Sequence, residues 1–406
     1  MSVRSEATGK CIAAVSEADR GERGDGAAAA GTRPPDATDE CRGYFIAGAD
    51  TSGMRAAVFT DYGEPLDVRE VDDPEPDPHG AVVGVEACGV CRSDWHAWQG
   101  DWEWRGLDPV PGHILGHEPA GRVVAVGEEV DSVAEGDHVA VPFNLGDGSC
   151  HLCQTGHSNI CENRQALGLQ PEAPGAFAEQ VPVPHADHNL VSLPEGVSSV
   201  DMAGLGCRFM TAFHGLAHRA DVDPGDWFVV HGCGGVGLSA VQIADAIGAN
   251  VVGVDLMDEK LDFAEKQGAV ETVNASEVDD PAAEVKAITD GGADVSMDAL
   301  GIETTCRNAV ESLGKTGQHV QVGLTTDEAG GELPLPTDEM VTSEIDFYGA
   351  LGMPPERYDE IFRMVATGKL DPAAIITERI ALEEVSDVLD DMTEFATVGI
   401  PVIDEF

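Results

Sequence analysis

Two cysteines and one histidine, far apart in the chain, are the residue types of a catalytic zinc site. They are Cys91, His117 and Cys207. Two thiolates and one imidazole leave the fourth tetrahedral position of a zinc ion open to a substrate. A lone buried cysteine is more often a small hydrophobic residue, so the hypothesis requires that all three meet in space. His113, four residues before His117, is a rival ligand that spacing alone does not exclude.

A second cluster of candidate metal ligands is compact in sequence. Its members are Asp147, Cys150, Cys153 and Cys161. Four such ligands would close the shell of a structural zinc ion, although a carboxylate is a poorer zinc ligand than a thiolate. The alternative is a metal-free segment with free thiols. The N-terminal residues lack the pattern of a secretory signal, and the ten cysteines of such a chain favour metal ligation over disulfide bonds.

A glycine-rich turn between two apolar strands predicts a dinucleotide-binding unit. The turn consists of Gly232, Cys233, Gly234, Gly235, Val236 and Gly237. Its glycines let a pyrophosphate approach the backbone at a helix N-terminus. Asp255 ends the second strand and is placed to accept hydrogen bonds from the adenosine ribose, which favours NAD. NADP stays open, because high salt would screen its 2′-phosphate from Asp255. We also assign Lys260, which begins the next predicted helix, to the cofactor-binding set.

Hydrophobic periodicity divides the rest of the chain into two kinds of domain. Residues 54–205 contain short β-like runs between Pro and Gly turns, which predict a β-rich, barrel-like domain. Residues 206–349 alternate strands with helices and predict a doubly wound parallel sheet. Residues 350–406 contain two helices and a short final strand that we expect to rejoin the first domain.

The charge of the chain is extreme. It has 74 Asp and Glu residues and 23 Lys and Arg residues, which give a formal net charge of -51. Regular apolar periodicity excludes a disordered acidic tail. We therefore expect a salt-rich cytoplasm, where a Debye length of about 3 Å at 1 M salt screens self-repulsion. The alternative is an ordinary acidic bacterial enzyme. The charge argues against nucleic acid and anionic membranes as partners, and no apolar run approaches the ~20 residues of a membrane span.

Residues 1–53 differ from the rest of the chain in composition. They combine six basic with nine acidic residues and include an Ala/Gly/Pro-rich stretch without a sustained period. We expect this extension to be disordered and Met54, which opens a clean strand pattern, to be the natural start.

With both halves in place, residues 54–406 resemble the zinc-dependent alcohol dehydrogenases of the medium-chain dehydrogenase/reductase family. The resemblance implies a GroES-like catalytic domain (54–205 with 350–406) interrupted by a Rossmann domain (206–349), with the active site in the cleft between them. By motif position, Cys91, His117 and Cys207 look like the catalytic zinc ligands. The second cluster looks like the family's structural zinc lobe, although Asp147 stands where the family usually has a cysteine.

The resemblance also implies roles for the neighbours of these ligands. Glu118 resembles a carboxylate that can approach the zinc, and Asp94 the group that orients the ligand imidazole. Ser93 looks like the hydroxyl that binds the substrate oxygen, and His96 like the far end of a proton relay. Arg92 is expected to meet the cofactor pyrophosphate.

The implied reaction is the reversible oxidation of an alcohol to an aldehyde or ketone, with NAD as hydride acceptor. The resemblance implies one catalytic and one structural zinc, a small-molecule alcohol substrate and a homo-oligomer, dimer or tetramer. A polyol, sugar or amino-alcohol dehydrogenase of the same family stays open. A zinc-free reductase of this fold would lack the Cys–His–Cys set, and a zinc-ribbon binding module would explain 147–161 but not the glycine turn. A tryptophan-rich segment (Trp95, Trp98, Trp102 and Trp104) either shapes the substrate pocket or packs a loop.

Overall fold

The computed structural model describes residues 53–326, 329–395 and 397–406. Except for Gly53, the predicted N-terminal extension lies outside these residues, and so do the expectations about its disorder and about the natural start. Among the described residues, no helix is long and apolar enough to cross a membrane.

The first part of the chain is rich in short strands. They are β1 Met54–Val58, β2 Asp67–Val71, β3 Ala81–Gly89, β4 Glu118–Val126, β5 His138–Ala140, β6 Asn144–Leu145, β7 Gln165–Ala166, β8 Gln180–Val183 and β9 Val191–Ser192. The next part supplies β10 Trp227–His231, β11 Asn250–Asp255, β12 Glu271–Asn274, β13 Ala293–Asp298, β14 Leu313–Gln321 and β15 Asp346–Gly349. The last strands are β16 Ile376–Ala381 and β17 Ile400–Glu405.

Helices lie mainly in the second half of the chain. They are α1 Arg92–Gln99, α2 His151–Gln154, α3 Ala186–Asn189, α4 Ser199–Leu205, α5 Cys207–His214, α6 Gly235–Ile247, α7 Asp258–Gln267, α8 Pro281–Ile288, α9 Glu303–Glu311, α10 Thr337–Ser343, α11 Tyr358–Ala366 and α12 Val385–Thr393. A single π-helical turn at Gly215–Arg219 continues α5.

A mixed sheet forms around β3. In the described residues its order is β16-β17-β3-β4-β5-β9, and β8 also pairs with β3. β3 and β4 pair antiparallel, as do β4 with β5 and β3 with β8. The C-terminal strand β17 pairs with the end of β3 at Cys88 and Gly89, so the chain returns to its first domain as expected.

The second sheet is parallel throughout. Its order is β12-β11-β10-β13-β14-β15, and every neighbouring pair is parallel. The connections reverse direction between β10 and β13, which opens a crevice at the carboxyl ends of these strands, where this kind of sheet binds its ligands. The predicted fold class, a Rossmann sheet combined with a β-rich GroES-like domain, is confirmed. The boundaries of the two domains at 205 and 349 stay a prediction.

One apolar core joins the two sheets. A single cluster of buried side chains includes Ala120 of β4, Val230 of β10 and Val402 of β17. Phe209 and Phe213 of α5 belong to the same cluster and are almost fully buried. Helix α5 is therefore held between the two sheets, and Cys207, its first residue, is fixed at their junction.

Candidate active site

The structure brings the three predicted catalytic ligands together. Cys91 caps the N-terminus of α1, His117 directly precedes β4, and Cys207 begins α5. One ligand atom from each of these residues and one from Glu118 all lie within 4.8 Å of one another. The rival His113 is outside this group; it is buried elsewhere, and that burial lowers its pKa to about 4.

Asp94 orients the imidazole of His117. Its Oδ1 accepts from His117 Nδ1 at 2.7 Å and from the Gly116 N–H at 3.1 Å, and its Oδ2 accepts from the Cys91 N–H at 2.9 Å. Asp94 is completely buried. A proton on Nδ1 leaves the lone pair of Nε2 free to bind a metal, which is the usual arrangement of a histidine ligand.

The donors fit a zinc ion. His117 Nε2 is buried and has no hydrogen-bond partner among the described residues. An unpartnered buried polar atom costs about 1–3 kcal/mol, and a metal bond would remove that cost. A hydrogen bond with the Cys207 thiol outweighs burial and, with the charge of Arg208, lowers the pKa of Cys91 well below its ordinary value. That favours the thiolate, the form that binds metal.

Glu118 forms a buried ion pair with a residue that the sequence reasoning missed. Arg208, the residue after Cys207, donates from Nη2 to Glu118 Oε2 at 2.5 Å and from Nη1 to the Val90 carbonyl oxygen at 2.9 Å. Burial alone would lower the pKa of Arg208, but the charges of Glu118 and Cys91 raise it. The sequence did contain one indication of its role. Arg208 directly follows a predicted zinc ligand in a chain with few basic residues.

The predicted proton-relay residues lie on the same helix as the N-cap ligand. Ser93 is half-buried in the first turn of α1. His96 Nδ1 is 2.7 Å from Asp101 Oδ2, and its ring stacks on Trp102 with centroids 4.7 Å apart. Asp101, which the sequence reasoning did not single out, orients the imidazole of His96.

Arg92 lies against the C-terminal helix. Its guanidinium stacks over the Trp95 ring, 3.7 Å from the ring centroid, and donates to the carbonyl oxygen of Met392 in α12. Its assignment to the cofactor pyrophosphate stays a prediction. Of the other tryptophans, Trp98 and Trp102 are buried and pack in the core of the first domain, whereas Trp104 is exposed.

The second cluster has the spacing of a tetrahedral metal site. Its four ligand atoms lie within 4.8 Å of one another. Cys150 Sγ is 3.5 Å from Cys153 Sγ and 3.7 Å from Cys161 Sγ. Zinc–sulfur bonds of about 2.3 Å would place the sulfurs about 3.8 Å apart, whereas a disulfide holds them at about 2.0 Å.

Asp147 is pre-oriented for the fourth position of this cluster. Its Oδ1 accepts from the Cys150 N–H at 3.0 Å and the Ser149 N–H at 2.8 Å, and its Oδ2 accepts from Asn163 Nδ2 at 2.6 Å. These hydrogen bonds, the one from Asn163 first, hold the pKa of Asp147 well below its ordinary range. The carboxylate is therefore ionised and fixed, which offsets part of its weakness as a zinc ligand.

The glycine turn lies at the crevice of the parallel sheet. Gly232 follows β10 with φ +97°, and a Cβ there would lie 2.8 Å from Leu300 Cγ. Gly234 caps α6, while Gly235, Val236 and Gly237 form its first turn. A Cβ on Gly237 would overlap the Gly232 carbonyl oxygen, so only glycine allows this close strand–helix packing.

Asp255 is anchored beside the turn. Its Oδ2 accepts from the Cys233 N–H at 2.8 Å, and its Oδ1 accepts from the Leu256 N–H at 2.8 Å. Burial and the charge of Asp255 raise the pKa of the Cys233 thiol, and the charge of Lys260 opposes them. Asp255 and Lys260, both predicted to contact the cofactor, therefore both influence Cys233 in the glycine turn.

Comparison with known proteins gives the same assignment. The family model described as "Alcohol dehydrogenase GroES-like domain" matches residues 77–195, and that described as "Zinc-binding dehydrogenase" matches residues 235–367. The chain is 35% identical over 360 residues to the NAD-dependent alcohol dehydrogenase of Saccharolobus solfataricus, covering 86% of this chain and 99% of that protein. It is 37% identical over 353 residues to an alcohol dehydrogenase of Moraxella sp., again covering 86% and 99%.

Solved structures agree with these sequence relatives. The alcohol dehydrogenase of Thermus sp. ATN1 superposes with a TM-score of 0.79 at 30% identity, and that of Aeropyrum pernix with a TM-score of 0.77 at 31% identity. Each alignment covers 86% of this chain and 99% of the other. The chain therefore belongs to the zinc-dependent alcohol dehydrogenases of the medium-chain dehydrogenase/reductase family.

Proposed function

We propose that this protein oxidises an alcohol reversibly to an aldehyde or ketone and transfers the hydride to NAD. The observation that carries the proposal is the cluster of Cys91, His117 and Cys207, in which His117 Nε2 is buried and has no hydrogen-bond partner among the described residues. This group and the dinucleotide turn at Gly232–Gly237 flank the same helix, α5. When bound, zinc supplies Lewis acidity that lowers the pKa of the alcohol toward neutrality.

The residues around the ligands position the reacting groups. Asp94 keeps the proton of His117 on Nδ1 and fixes the ring plane. Ser93 would bind the substrate oxygen, and its hydroxyl and His96, which lie on the same helix, would carry the released proton toward solvent. Asp101 holds His96 at its Nδ1, so that Nε2 is the nitrogen that exchanges a proton with solvent.

The glycine turn and Asp255 hold the dinucleotide. The backbone at Gly235, at the N-terminus of α6, receives the pyrophosphate, and Asp255 accepts hydrogen bonds from the adenosine ribose. Its negative charge disfavours a 2′-phosphate, which supports NAD over NADP. The NAD-dependent relative in Saccharolobus solfataricus also supports this choice.

Four further properties belong to the proposal. The net charge of -51 supports a salt-rich cytoplasm as the protein's environment. Homo-oligomerisation, as a dimer or tetramer, is proposed by analogy with the family. Asp147, Cys150, Cys153 and Cys161 would hold a second, structural zinc, and Arg92 and Lys260 would complete the cofactor contacts.

Activity assays test the function directly. In about 3 M KCl, where the Debye length falls below about 3 Å, the zinc-loaded protein should reduce NAD with at least one primary, secondary, aromatic or polyhydroxy alcohol. The kcat/KM for NAD should exceed that for NADP by about tenfold or more, because Asp255 repels the extra phosphate. Activity with polyols alone would select the polyol dehydrogenase alternative. No oxidation of any alcohol with either dinucleotide would refute the proposal.

Metal content separates the two clusters. The wild-type protein should contain about two zinc ions per chain, and Cys91→Ser and Asp147→Ala should each retain about one. Cys88→Ser is a matched control, because Cys88 is a buried cysteine of β3 outside both clusters and its loss should leave both zinc ions in place. Inductively coupled plasma mass spectrometry gives the count. A wild-type protein that retains no zinc after purification without chelators would contradict both assignments.

Asp94→Asn tests how much the orientation of His117 matters. The uncharged amide cannot hold the imidazole proton as strongly, so the affinity of the catalytic zinc should fall by about 10- to 100-fold. Competition with a chromophoric chelator measures it. Asp187→Asn is the control, because the exposed Asp187 also accepts backbone N–H groups, at Ser132 and Asp131, and neither of these is a predicted zinc ligand. Equal zinc affinities in the two variants would show that Asp94 does not position the ligand.

Thermal unfolding against salt tests the halophilic origin. The unfolding midpoint should rise steeply as KCl increases from about 0.1 M to 1 M, because the Debye length shrinks from about 10 Å to 3 Å. Sucrose, an excluded solute that does not screen charge, should not replace KCl. A midpoint that is the same at both salt concentrations would exclude charge screening as a requirement for folding.

A further inference from the structure

Arg208 is a buried cation that the reaction described above does not use. Its side chain is 4% exposed, in a chain with only 23 basic residues. The backbone N–H of Arg208 is 3.3 Å from Glu118 Oε1, so the residue contacts both carboxylate oxygens of Glu118. An arginine loses hydration when it is buried this deeply, so its donors need partners.

Two glycines make room for the ion pair on the side of the metal site. A Cβ at Gly89 would overlap Glu118 Oε2 and lie 2.8 Å from Arg208 Nη2. A Cβ at Gly206 would lie 2.7 Å from three carbon atoms of the Glu118 side chain. The pair therefore occupies a space that any larger residue at either position would close.

A third glycine makes room for Arg208 on the side of the dinucleotide. A Cβ at Gly235 would lie 2.5 Å from Arg208 Cδ and 3.4 Å from Arg208 Nε. Gly235 is the first residue of α6. The N–H groups of such a helix terminus are those that bind a pyrophosphate. The aliphatic part and the Nε of Arg208 thus lie against the phosphate-binding turn itself.

One donor of the guanidinium has no partner. Nη1 and Nη2 donate to Val90 and Glu118, but Arg208 Nε is buried and makes no hydrogen bond among the described residues. An orphaned donor on a charged group is costly to bury unless a ligand satisfies it. Arg208 Nε lies 3.4 Å from the position that a Cβ on Gly235 would take, beside the turn expected to receive the phosphate.

We propose that Arg208 binds the dinucleotide, with its Nε–H donating to the pyrophosphate while its two terminal nitrogens stay on Glu118 and Val90. A single guanidinium then contacts both the carboxylate beside the catalytic ligands and the cofactor. The inference rests on the dinucleotide binding proposed above. It adds Arg208 to Arg92, the residue that the family resemblance assigns to the pyrophosphate.

Arg208→Lys in the zinc-loaded protein tests this contact. Lysine keeps the positive charge beside Glu118 but has no Nε–H on its stem. The Kd for ADP-ribose, which carries the pyrophosphate, should rise about tenfold or more. The Kd for AMP, which lacks the second phosphate, should change much less, and the zinc content should stay at the wild-type value. Arg122→Lys is the control, because Arg122 is an exposed arginine paired with Glu86 at 3.0 Å, and its replacement should leave both Kd values unchanged.

The outcomes separate this inference from the proposed function. Wild-type protein that does not bind ADP-ribose would overturn the dinucleotide proposal and this inference with it. Equal ADP-ribose Kd values in wild type and Arg208→Lys, at equal zinc content, would overturn this inference alone. If Arg208→Lys loses zinc or does not fold, a crystal structure of the wild-type protein with ADP-ribose decides. Arg208 Nε within about 2.7–3.2 Å of a phosphate oxygen supports the contact, and an Nε without a phosphate neighbour overturns it.

Discussion

The catalytic site depends on a carboxylate that has no access to solvent. Asp94 is completely buried and accepts from His117 Nδ1, the Cys91 N–H and the Gly116 N–H. A buried charge is tolerated only when its hydrogen bonds are made, so these three donors and Asp94 require one another. The bonds join the start of α1 to the start of β4, 23 residues apart, and thereby fix two of the three catalytic ligands. The third, Cys207, is fixed by α5, which is packed between the two sheets.

The two candidate metal clusters differ in their burial and in their number of candidate protein ligands. Cys91 and His117 of the catalytic cluster are buried, and His117 Nε2 has no hydrogen-bond partner among the described residues, which leaves that nitrogen free to bind a metal. The other cluster offers four candidate ligands in a half-exposed segment that contains little regular structure besides α2. There the sulfur–sulfur distances of 3.5 and 3.7 Å match a closed tetrahedral shell. Asn163 and the local backbone compensate for the carboxylate by holding Asp147 in one ionised orientation.

Much of the fold and site could be predicted from the sequence, because the responsible signals are local. The glycine turn, the strand ending at Asp255 and the cysteine spacing of 150–161 each occupy a short window. Contacts between residues that are far apart in the sequence could not be predicted from such local patterns. Arg208 is 90 residues from Glu118, and its importance appears only when β4 and α5 meet. Arg92 lies against α12, and its contact with the cofactor pyrophosphate, which the family resemblance implies, stays a prediction. Spacing alone did not separate His113 from His117; the family resemblance pointed to His117, and in the structure Asp94 accepts from His117 Nδ1.

We expect this fold to hold two zinc ions, one in each of the two clusters. A crystal structure of the purified protein, with anomalous diffraction data collected on both sides of the zinc absorption edge, tests it most directly. Two anomalous peaks per chain are expected. One should be bonded to Cys91, His117 and Cys207, and the other to Asp147, Cys150, Cys153 and Cys161. A protein that oxidises alcohols but has no peak between Cys91, His117 and Cys207 would contradict the account.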